Sequence, residues 1–416
     1  MTFLPCVAEK VLDGLFQQPV RACGMFSANH DIKEERMDAH AKDPGRAATG
    51  PRPVLMIPLR RCGSHALRLR LNFSPDFYSP YPLHIVDFMP LAELYGDLGD
   101  DNTYFQMIVD VVGLQAASMV KWADVVFDPV AVFDAVKDEP RSVHRIVWEL
   151  LLRAGARHNA KVVMDKSLDS VHYADELIGL FGDMLFLNVV RDPRAQISSM
   201  NRAVIHDFDT LLNALTWVKA HEAAKDLSAR HPARVLTIRY EDFLANQEAV
   251  LRNICRFFGI EFLPAMLDIA QSREAQQISG LSALWESNCY APIAANADKF
   301  KQALSMEEIE IIETLTREYM DRYGYERMTR AKAKITPGIV IAARERSEAL
   351  KQKAWADLAQ NNFRDYALRR MRADYIQMLR ARLTAAAAAR PAKDKDSMYI
   401  DVASAAVYDS AERARL

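Results

Sequence analysis

The sequence has little of what marks several large classes of protein. Its 416 residues include only five cysteines, an odd number with no C-x-x-C pair. This usage argues against a disulfide or zinc framework and favours a reducing compartment. The chain contains no uninterrupted run of about 18 apolar residues, the length that a membrane-spanning helix needs. The charged residues Glu9, Lys10 and Asp13 interrupt the first apolar stretch, so we expect no signal peptide and a cytoplasmic location.

The chain also lacks the Walker A loop, G-x-x-x-x-G-K-[ST], and an evident pair of Mg²⁺ ligands. We therefore expect neither a metal nor the usual P-loop chemistry of ATP and GTP. Residues 53–71 instead contain an apolar strand, a tight turn and a helix. In the turn, Gly63 allows the backbone to bend closely around an oxyanion, Ser64 supplies a hydroxyl and Arg61 a positive charge. This pattern predicts an anion-binding loop.

A second segment of this kind lies at residues 185–200, where a basic turn separates an apolar strand from a helix. Pro193 presets the first turn of that helix. Arg191 stands at the end of the strand, and Ser199 follows eight residues later, a spacing of about two helical turns. Both side chains are therefore expected to reach one phosphate near the carboxyl edge of a parallel sheet.

In order and spacing, these segments resemble the sulfotransferases that use 3′-phosphoadenosine 5′-phosphosulfate (PAPS), in particular the bacterial and carbohydrate types. Residues 237–244, TIRYEDFL, and 257–260, FFGI, are similar to the strand and helix that follow in that family. The resemblance covers roughly residues 53–326. It implies a doubly wound parallel α/β sheet of the P-loop sulfotransferase type. It also implies in-line transfer of a sulfonyl group from PAPS to a hydroxyl or amine acceptor, which leaves adenosine 3′,5′-bisphosphate.

The resemblance further implies which residues bind the nucleotide. They are Arg61, Gly63, Ser64 and His65 for the 5′-phosphosulfate; Arg191, Ser199, Lys299 and Lys301 for the 3′-phosphate; and Tyr240 as a platform for adenine. Cys62 and His65 stand where the family usually has hydroxyl residues, and Ala66 stands where an aromatic residue is common. An imidazole N–H would then replace one hydroxyl. For the two lysines, an ordinary exposed loop is the alternative.

Sulfonyl transfer needs cations near the leaving phosphate, because positioning and charge stabilisation supply most of the catalysis in the related phosphoryl transfers. Lys166 ends a predicted strand and resembles the family's lysine that contacts the transferring group. The alternative is an ordinary salt bridge between Lys166 and Asp165 or Asp169. Arg61 is the second predicted catalytic cation.

The acceptor also needs a base. His84 is our prediction, since the ordinary pKa of histidine suits general-base catalysis near neutral pH. Some members of the family place a histidine two residues after the lysine, but Leu168 fills that position here. Asp87, Asp169 and His172 therefore remain alternatives to His84.

The chain is predicted to have three parts. Residues 1–52 form an N-terminal arm and linker, residues 53–330 the sulfotransferase-like domain, and residues 331–416 a basic helical C-terminal extension. The predicted strands lie near residues 53–58, 161–164, 184–190 and 234–239. The largely helical stretch from Gly96 to Gly155 is the predicted cover of the acceptor pocket.

Charge is uneven along the chain although the formal net charge is only −2. Residues 331–393 carry 14 Lys or Arg and 5 Asp or Glu, a net of +9, so the rest of the chain carries −11. Two interpretations of this basic extension stay open. It is either a surface for an anionic partner or a helical pair that packs on the domain or forms a homo-oligomer.

Three functions agree with these patterns. The leading hypothesis is a PAPS-dependent sulfotransferase whose acceptor is a glycan, a lipid or a small metabolite. The alternatives are an unconventional nucleotide-dependent kinase and a sulfotransferase-like protein that binds without catalysis. A requirement for Mg²⁺ separates the first from the second, since ATP chemistry needs the ion and sulfonyl transfer does not.

Overall fold

The computed structural model describes residues 50–122, 125–282, 285–290 and 297–390. The predicted N-terminal arm, as far as residue 49, and the last part of the predicted extension, residues 391–416, lie outside the described residues. The described part contains a five-stranded parallel sheet with the strand order β2-β3-β1-β4-β5. Its strands are β1 (Arg52–Ile57), β2 (Phe77–Tyr78), β3 (Val162–Asp165), β4 (Leu185–Val190) and β5 (Val235–Arg239).

Both faces of the central strand β1 are buried. Val54 and Met56 belong to one apolar core, and Leu55 and Ile57 belong to the other. Successive side chains of a strand point to opposite faces of the sheet, so an apolar strand needs helices on both sides. The predicted doubly wound parallel α/β sheet is confirmed, and the four predicted strands correspond to β1, β3, β4 and β5. The strand that the sequence did not reveal, β2, has only two residues, too few for a recognisable pattern.

Helices cover both faces of the sheet. In the described residues they are α1 (Ser64–Leu71), α2 (Met89–Ala92), α3 (Asp101–Ala116), α4 (Pro129–Val136), α5 (Val143–Arg157), α6 (Ala174–Leu180), α7 (Pro193–Met200), α8 (Thr210–Arg230), α9 (Tyr240–Ala245), α10 (Gln247–Phe258), α11 (Arg273–Ser279), α12 (Phe300–Ala303), α13 (Met306–Tyr323), α14 (Pro337–Asn361) and α15 (Phe363–Ala389). Short 3₁₀ helices include Ile85–Asp87 and Leu168–Tyr173. Within these ranges, none of the helices combines the length and the apolar character that crossing a membrane demands.

The connections that follow the neighbouring strands β1 and β4 diverge at the carboxyl ends of these strands. Leu67 of α1, the helix after β1, packs in the core that contains Val54. Ile197 of α7, the helix after β4, packs in the opposite core, which contains Leu55. The two connections therefore leave the sheet toward opposite faces. Such a point opens a crevice outside the strand ends, which is where ligands bind in open α/β sheets.

The C-terminal helices α14 and α15 contact the α/β domain directly. Leu379 and Leu383 of α15 are buried in the same core as the helices that follow β2. The Tyr375 hydroxyl donates to the Asp110 carbonyl over 3.1 Å, and Arg382 pairs with the Asp110 carboxylate. The predicted helical extension is thus present and part of its basic charge is neutralised by the domain. The division at residue 330 and an anionic or same-chain partner stay predictions.

Candidate active site

The connection between β1 and α1 is a turn that only glycine fits at position 63. Gly63 has φ of +90°, in the left-handed region, and a Cβ there would lie 2.1 and 2.3 Å from two ring carbons of Tyr240. Arg61 also has positive φ, 70°. In the described structure no side chain caps the first turn of α1, so its backbone N–H groups remain available to an anion.

Two predicted anion-binding segments meet at Arg61. Its Nε donates a hydrogen bond to Ser199 Oγ at 3.0 Å, and its carbonyl accepts one from Arg191 Nη1 at 2.8 Å. The guanidinium of Arg191 also lies over the ring of Tyr240, 5.1 Å from the centroid. The turn after β1 and the turn after β4 are therefore joined side by side in the crevice. The predicted contact of Arg191 and Ser199 with one phosphate stays a prediction.

Lys166 reaches the same place from the end of β3. Its side chain is buried, and Nζ donates to Ser64 Oγ at 3.3 Å. Within the described ranges Lys166 forms an ion pair with neither predicted alternative partner. The Asp165 carboxylate accepts a hydrogen bond from the backbone N–H of Ser167, and the Asp169 carboxylate pairs with Arg60 at 2.6 Å. Burial, with Arg68 as the next cause, lowers the pKa of Lys166 to about 7.

Positive charge accumulates here without neutralising carboxylates. In the part of the chain that the structure describes, Arg61, Lys166 and Arg191 form no ion pair with a carboxylate, and Arg191 Nε is buried without a hydrogen-bond partner. Burial, then Arg191 and Arg202, lowers the pKa of Arg61 to about 10. Clustered cations with neutral hydrogen-bond partners and no carboxylate repel one another, so this arrangement fits a ligand that carries several negative charges.

Two histidines lie beside these cations. His65 and His84 line the cavity, and the Nδ1 of each is buried without a partner among the described residues. Burial of the rings is the main cause that holds both pKa values well below 6.5. The next cause is the charge of Lys166 for His65 and the charge of Arg60 for His84. Both imidazoles are therefore neutral near pH 7. His84 has φ of 51°, a left-handed conformation that is uncommon for a residue with a side chain.

The other predicted bases have different surroundings. Asp87 lines the cavity and binds Arg372 Nη1 at 2.8 Å. Asp169 forms a tight ion pair with Arg60. His172 does not line the cavity, and burial, with Lys219 as the next cause, lowers its pKa. Paired carboxylates are weaker bases than unpaired ones. Of the two histidines among these four groups, only His84 lines the cavity.

Lys299 and Lys301, predicted to contact the 3′-phosphate, lie apart from these residues. Lys299 and Lys301 are exposed and do not line the cavity, and Lys301 Nζ pairs with Asp298 at 2.7 Å. Between them, Phe300 is buried and packs against the guanidinium of Arg194, 4.7 Å from the ring centroid. Their contact with a 3′-phosphate stays a prediction.

The cavity has a volume of about 420 Å³ and extends beyond the predicted residues. Its further lining includes Arg60, Tyr81, Trp285, Tyr290, Trp355, Arg369 and Arg372. Of the described residues between Gly96 and Gly155, only Ser118 and Met119 line it, because the helices α3 to α5 pack against the core instead. In the sequence, the i, i+3 spacing of Arg369 and Arg372 indicates that the two arginines share one face of a helix. That spacing does not indicate what the helix contacts, so the sequence could not place them in the cavity.

Comparisons with known proteins identify a family for part of this chain. The model of the sulfotransferase family matches residues 53–264. No curated protein matches the sequence. The sulfotransferase domain from the Synechococcus PCC 7002 olefin synthase is 22% identical, over 68% of this chain and 98% of that one, with a TM-score of 0.47. The sulfotransferase domain from the curacin biosynthetic pathway is 17% identical, over 67% of this chain and 99% of that one, with a TM-score of 0.46. The matched residues 53–264 end before Trp285 and both C-terminal helices.

Proposed function

The chain belongs to the sulfotransferase family, and we propose that it is a transferase that moves the sulfonyl group of PAPS to a hydroxyl or amine acceptor. The single observation that carries this proposal is the junction at Arg61. It brings an anion-binding loop and a second arginine and serine pair to one crevice. A donor with phosphate groups at both ends of its ribose needs two such sites at a fixed separation.

The loop after β1 is the proposed site of the 5′-phosphosulfate. The amides at the start of α1, the Ser64 hydroxyl and Lys166 converge there, and their unpaired donors suit phosphate oxygens. Arg191 is the proposed site of the 3′-phosphate, and Ser199 holds Arg61 beside it. Tyr240, whose ring contacts both Gly63 and Arg191, supports the adenosine between the two phosphates.

In the proposed reaction, the acceptor oxygen or nitrogen attacks sulfur while the bond from sulfur to the bridging phosphate oxygen breaks. Lys166 and Arg61 stabilise the charge that develops on the departing phosphate. The pKa of Lys166, about 7 without ligand, rises beside that phosphate because an opposite charge favours the ammonium. His84 accepts the proton that the acceptor loses, and its low pKa keeps it neutral and ready to do so.

The test is incubation of the full chain with PAPS labelled at the sulfonyl group and a panel of glycans, lipids, phenols and amines, in buffer containing EDTA. We expect label on an acceptor without added Mg²⁺. Transfer from ATP that requires Mg²⁺, with none from PAPS, would support the kinase instead. Binding of adenosine 3′,5′-bisphosphate with no transfer to any acceptor would support a non-catalytic protein.

A matched pair of lysine variants checks that any activity belongs to this site. Lys166→Ala removes the buried lysine, whereas Lys161→Ala removes an exposed lysine five residues away that pairs with Asp76. Loss of transfer in the first variant and normal transfer in the second supports the proposed site. Equal activity in both variants would place the reaction elsewhere.

A further inference from the structure

The C-terminal helix α15 holds the short segment that carries His84. Arg372 Nη2 donates to the carbonyls of Leu83 and His84 at 2.9 and 3.0 Å, and Nη1 donates to Asp87 Oδ2 at 2.8 Å. One guanidinium thus spans the whole turn, from the residue before His84 to the end of the 3₁₀ helix that follows it. Arginine suits this role because its planar fork offers several donors in fixed directions.

The His84 turn needs such support. The backbone of His84 is left-handed, with φ 51° and ψ 52°, a conformation that its Cβ disfavours and that persists only where the surroundings fix it. Its Nδ1 has no hydrogen-bond partner among the described residues, and its ring meets Tyr81 only edge-on, at 6.0 Å between centroids. The position of the imidazole therefore depends on the backbone that Arg372 binds.

Helix α15 does not depend on Arg372 for its own attachment. Leu379 and Leu383 are buried in the core, and Tyr375 and Arg382 bind Asp110. At the other end of the helix, the Ser282 hydroxyl donates to the Asp365 carboxylate at 2.6 Å and accepts from Arg369 Nη2 at 3.1 Å. Removal of the Arg372 guanidinium therefore leaves the helix docked, and its effect can be read at the His84 turn alone.

We propose that Arg372 is a positioning residue for sulfonyl transfer, which fixes His84 toward the acceptor from a part of the chain outside the family's matched region. The role of His84 as the base rests on the proposed function, whereas the contact between Arg372 and the His84 turn does not. Arg372 touches neither phosphate-binding segment, so its action is confined to the acceptor side of the reaction.

The first experiment compares Arg372→Ala with Arg370→Ala. Arg370 lies on the same helix, pairs with Asp374 and has a side chain that is 41% exposed, so its loss should change nothing. For Arg372→Ala we expect kcat to fall about 10- to 100-fold, as misplacement of a reacting group by about 1 Å does. KM for PAPS should stay within about twofold. Arg372→Lys should recover part of the rate, since its ammonium reaches some of the same oxygens.

The second experiment tests whether Arg372 acts through His84. In a double-mutant cycle, Arg372→Ala should add no further loss of kcat in a His84→Asn background. Independent losses that multiply would overturn the positioning role, and so would a normal kcat in Arg372→Ala.

A measurement without substrate separates this inference from the proposed function. Hydrogen exchange followed by mass spectrometry should show residues 83–88 exchanging at least about tenfold faster in Arg372→Ala, with residues 375–385 unchanged. Faster exchange in a protein that transfers no sulfonyl group would defeat the proposed function and keep the structural contact. Unchanged exchange at residues 83–88 would defeat the inference even in an active enzyme.

Discussion

The cavity has two halves that hold most of their arginines and lysines in opposite ways. In the strand-end half, Arg61, Lys166 and Arg191 follow the ends of β1, β3 and β4 and have no carboxylate partner among the described residues, whereas Arg60 pairs with Asp169. In the C-terminal half, formed by Trp285, Trp355, Arg369 and Arg372, both arginines are paired with carboxylates at 2.8 Å. We therefore propose that unpaired charge marks the side that binds a polyanion, and that paired charge marks the side where the protein positions its own groups.

The two halves also differ in their place in the chain. The strand-end half lies within residues 53–264, which the family model matches, and the C-terminal half lies beyond them. Trp285 packs beneath Arg369, 5.6 Å from the ring centroid to the guanidinium, and against Tyr81 at 5.4 Å. We therefore propose that the aromatic surface of the C-terminal half binds the acceptor, while the charge of the strand-end half binds the donor.

The largest expected effect lies where the two halves meet, at His84. His84→Asn should lower kcat about 10²- to 10⁴-fold, the usual worth of a general base, while Asn keeps the left-handed backbone accessible. Affinity for adenosine 3′,5′-bisphosphate should not change. A variant with wild-type kcat would move the role of base to Asp87, Asp169 or His172.

The pH profile of the wild type provides a second check on His84. The titratable groups that face it are Arg60, Lys166, Arg372 and the imidazole of His206. Burial and the three cations among them lower the pKa of His84, so kcat/KM should begin to fall on acidification only below the ordinary histidine value of about 6.5. An acidic limb centred at or above that value would contradict His84 as the base.

The next largest effect concerns charge stabilisation in the strand-end half. Lys166→Ala should lower kcat about 10²- to 10³-fold, as removal of a preorganised electrostatic donor does. KM for PAPS should change much less. Because the free protein holds the pKa of Lys166 at about 7, kcat/KM of the wild type should fall as pH rises through that value. A large change in KM alone would make Lys166 a binding residue.

A smaller effect tests the unpaired arginine after β4. The wild type should bind adenosine 3′,5′-bisphosphate more tightly than adenosine 5′-phosphate, and Arg191→Ala should reduce that preference about 10- to 100-fold, as loss of a charge-assisted hydrogen bond does. Arg191→Lys keeps the charge and should keep part of the preference. Isothermal titration calorimetry measures both ligands, and equal wild-type affinities would refute the 3′-phosphate assignment.

The smallest effect concerns the turn that shapes the strand-end half. Gly63→Ala forces a side chain into the left-handed region, which costs about 1 to 2 kcal/mol, and pushes on the Tyr240 ring. Urea denaturation should show that loss of unfolding free energy. Gly179→Ala is the control, since a Cβ there meets nothing within 4 Å, and a helical alanine should be neutral or slightly stabilising. Equal stability of the two variants would contradict the tight turn.

Sequence patterns predicted the strand-end half well because its residues stand next to strand ends. Arg61, Lys166 and Arg191 each follow an apolar strand by a few positions, so locating the strand locates the side chain. Lys299 and Lys301 had no such strand before them, and they lie exposed outside the cavity. The predicted helical cover at 96–155 was helical, but it supplies little of the lining because its apolar faces are used in the core.

The sequence by itself determined the parallel sheet, its order of motifs and the turns after β1 and β4, since apolar strand patterns, turn residues and helix starts are local properties. Only the tertiary structure decided that Arg372 binds the His84 carbonyl across 288 positions of the chain. It also decided that Trp285 and Trp355 line the cavity. The physical reason is that a helical pattern reports which face of a helix is apolar, whereas the partner of that face depends on how all the other elements pack.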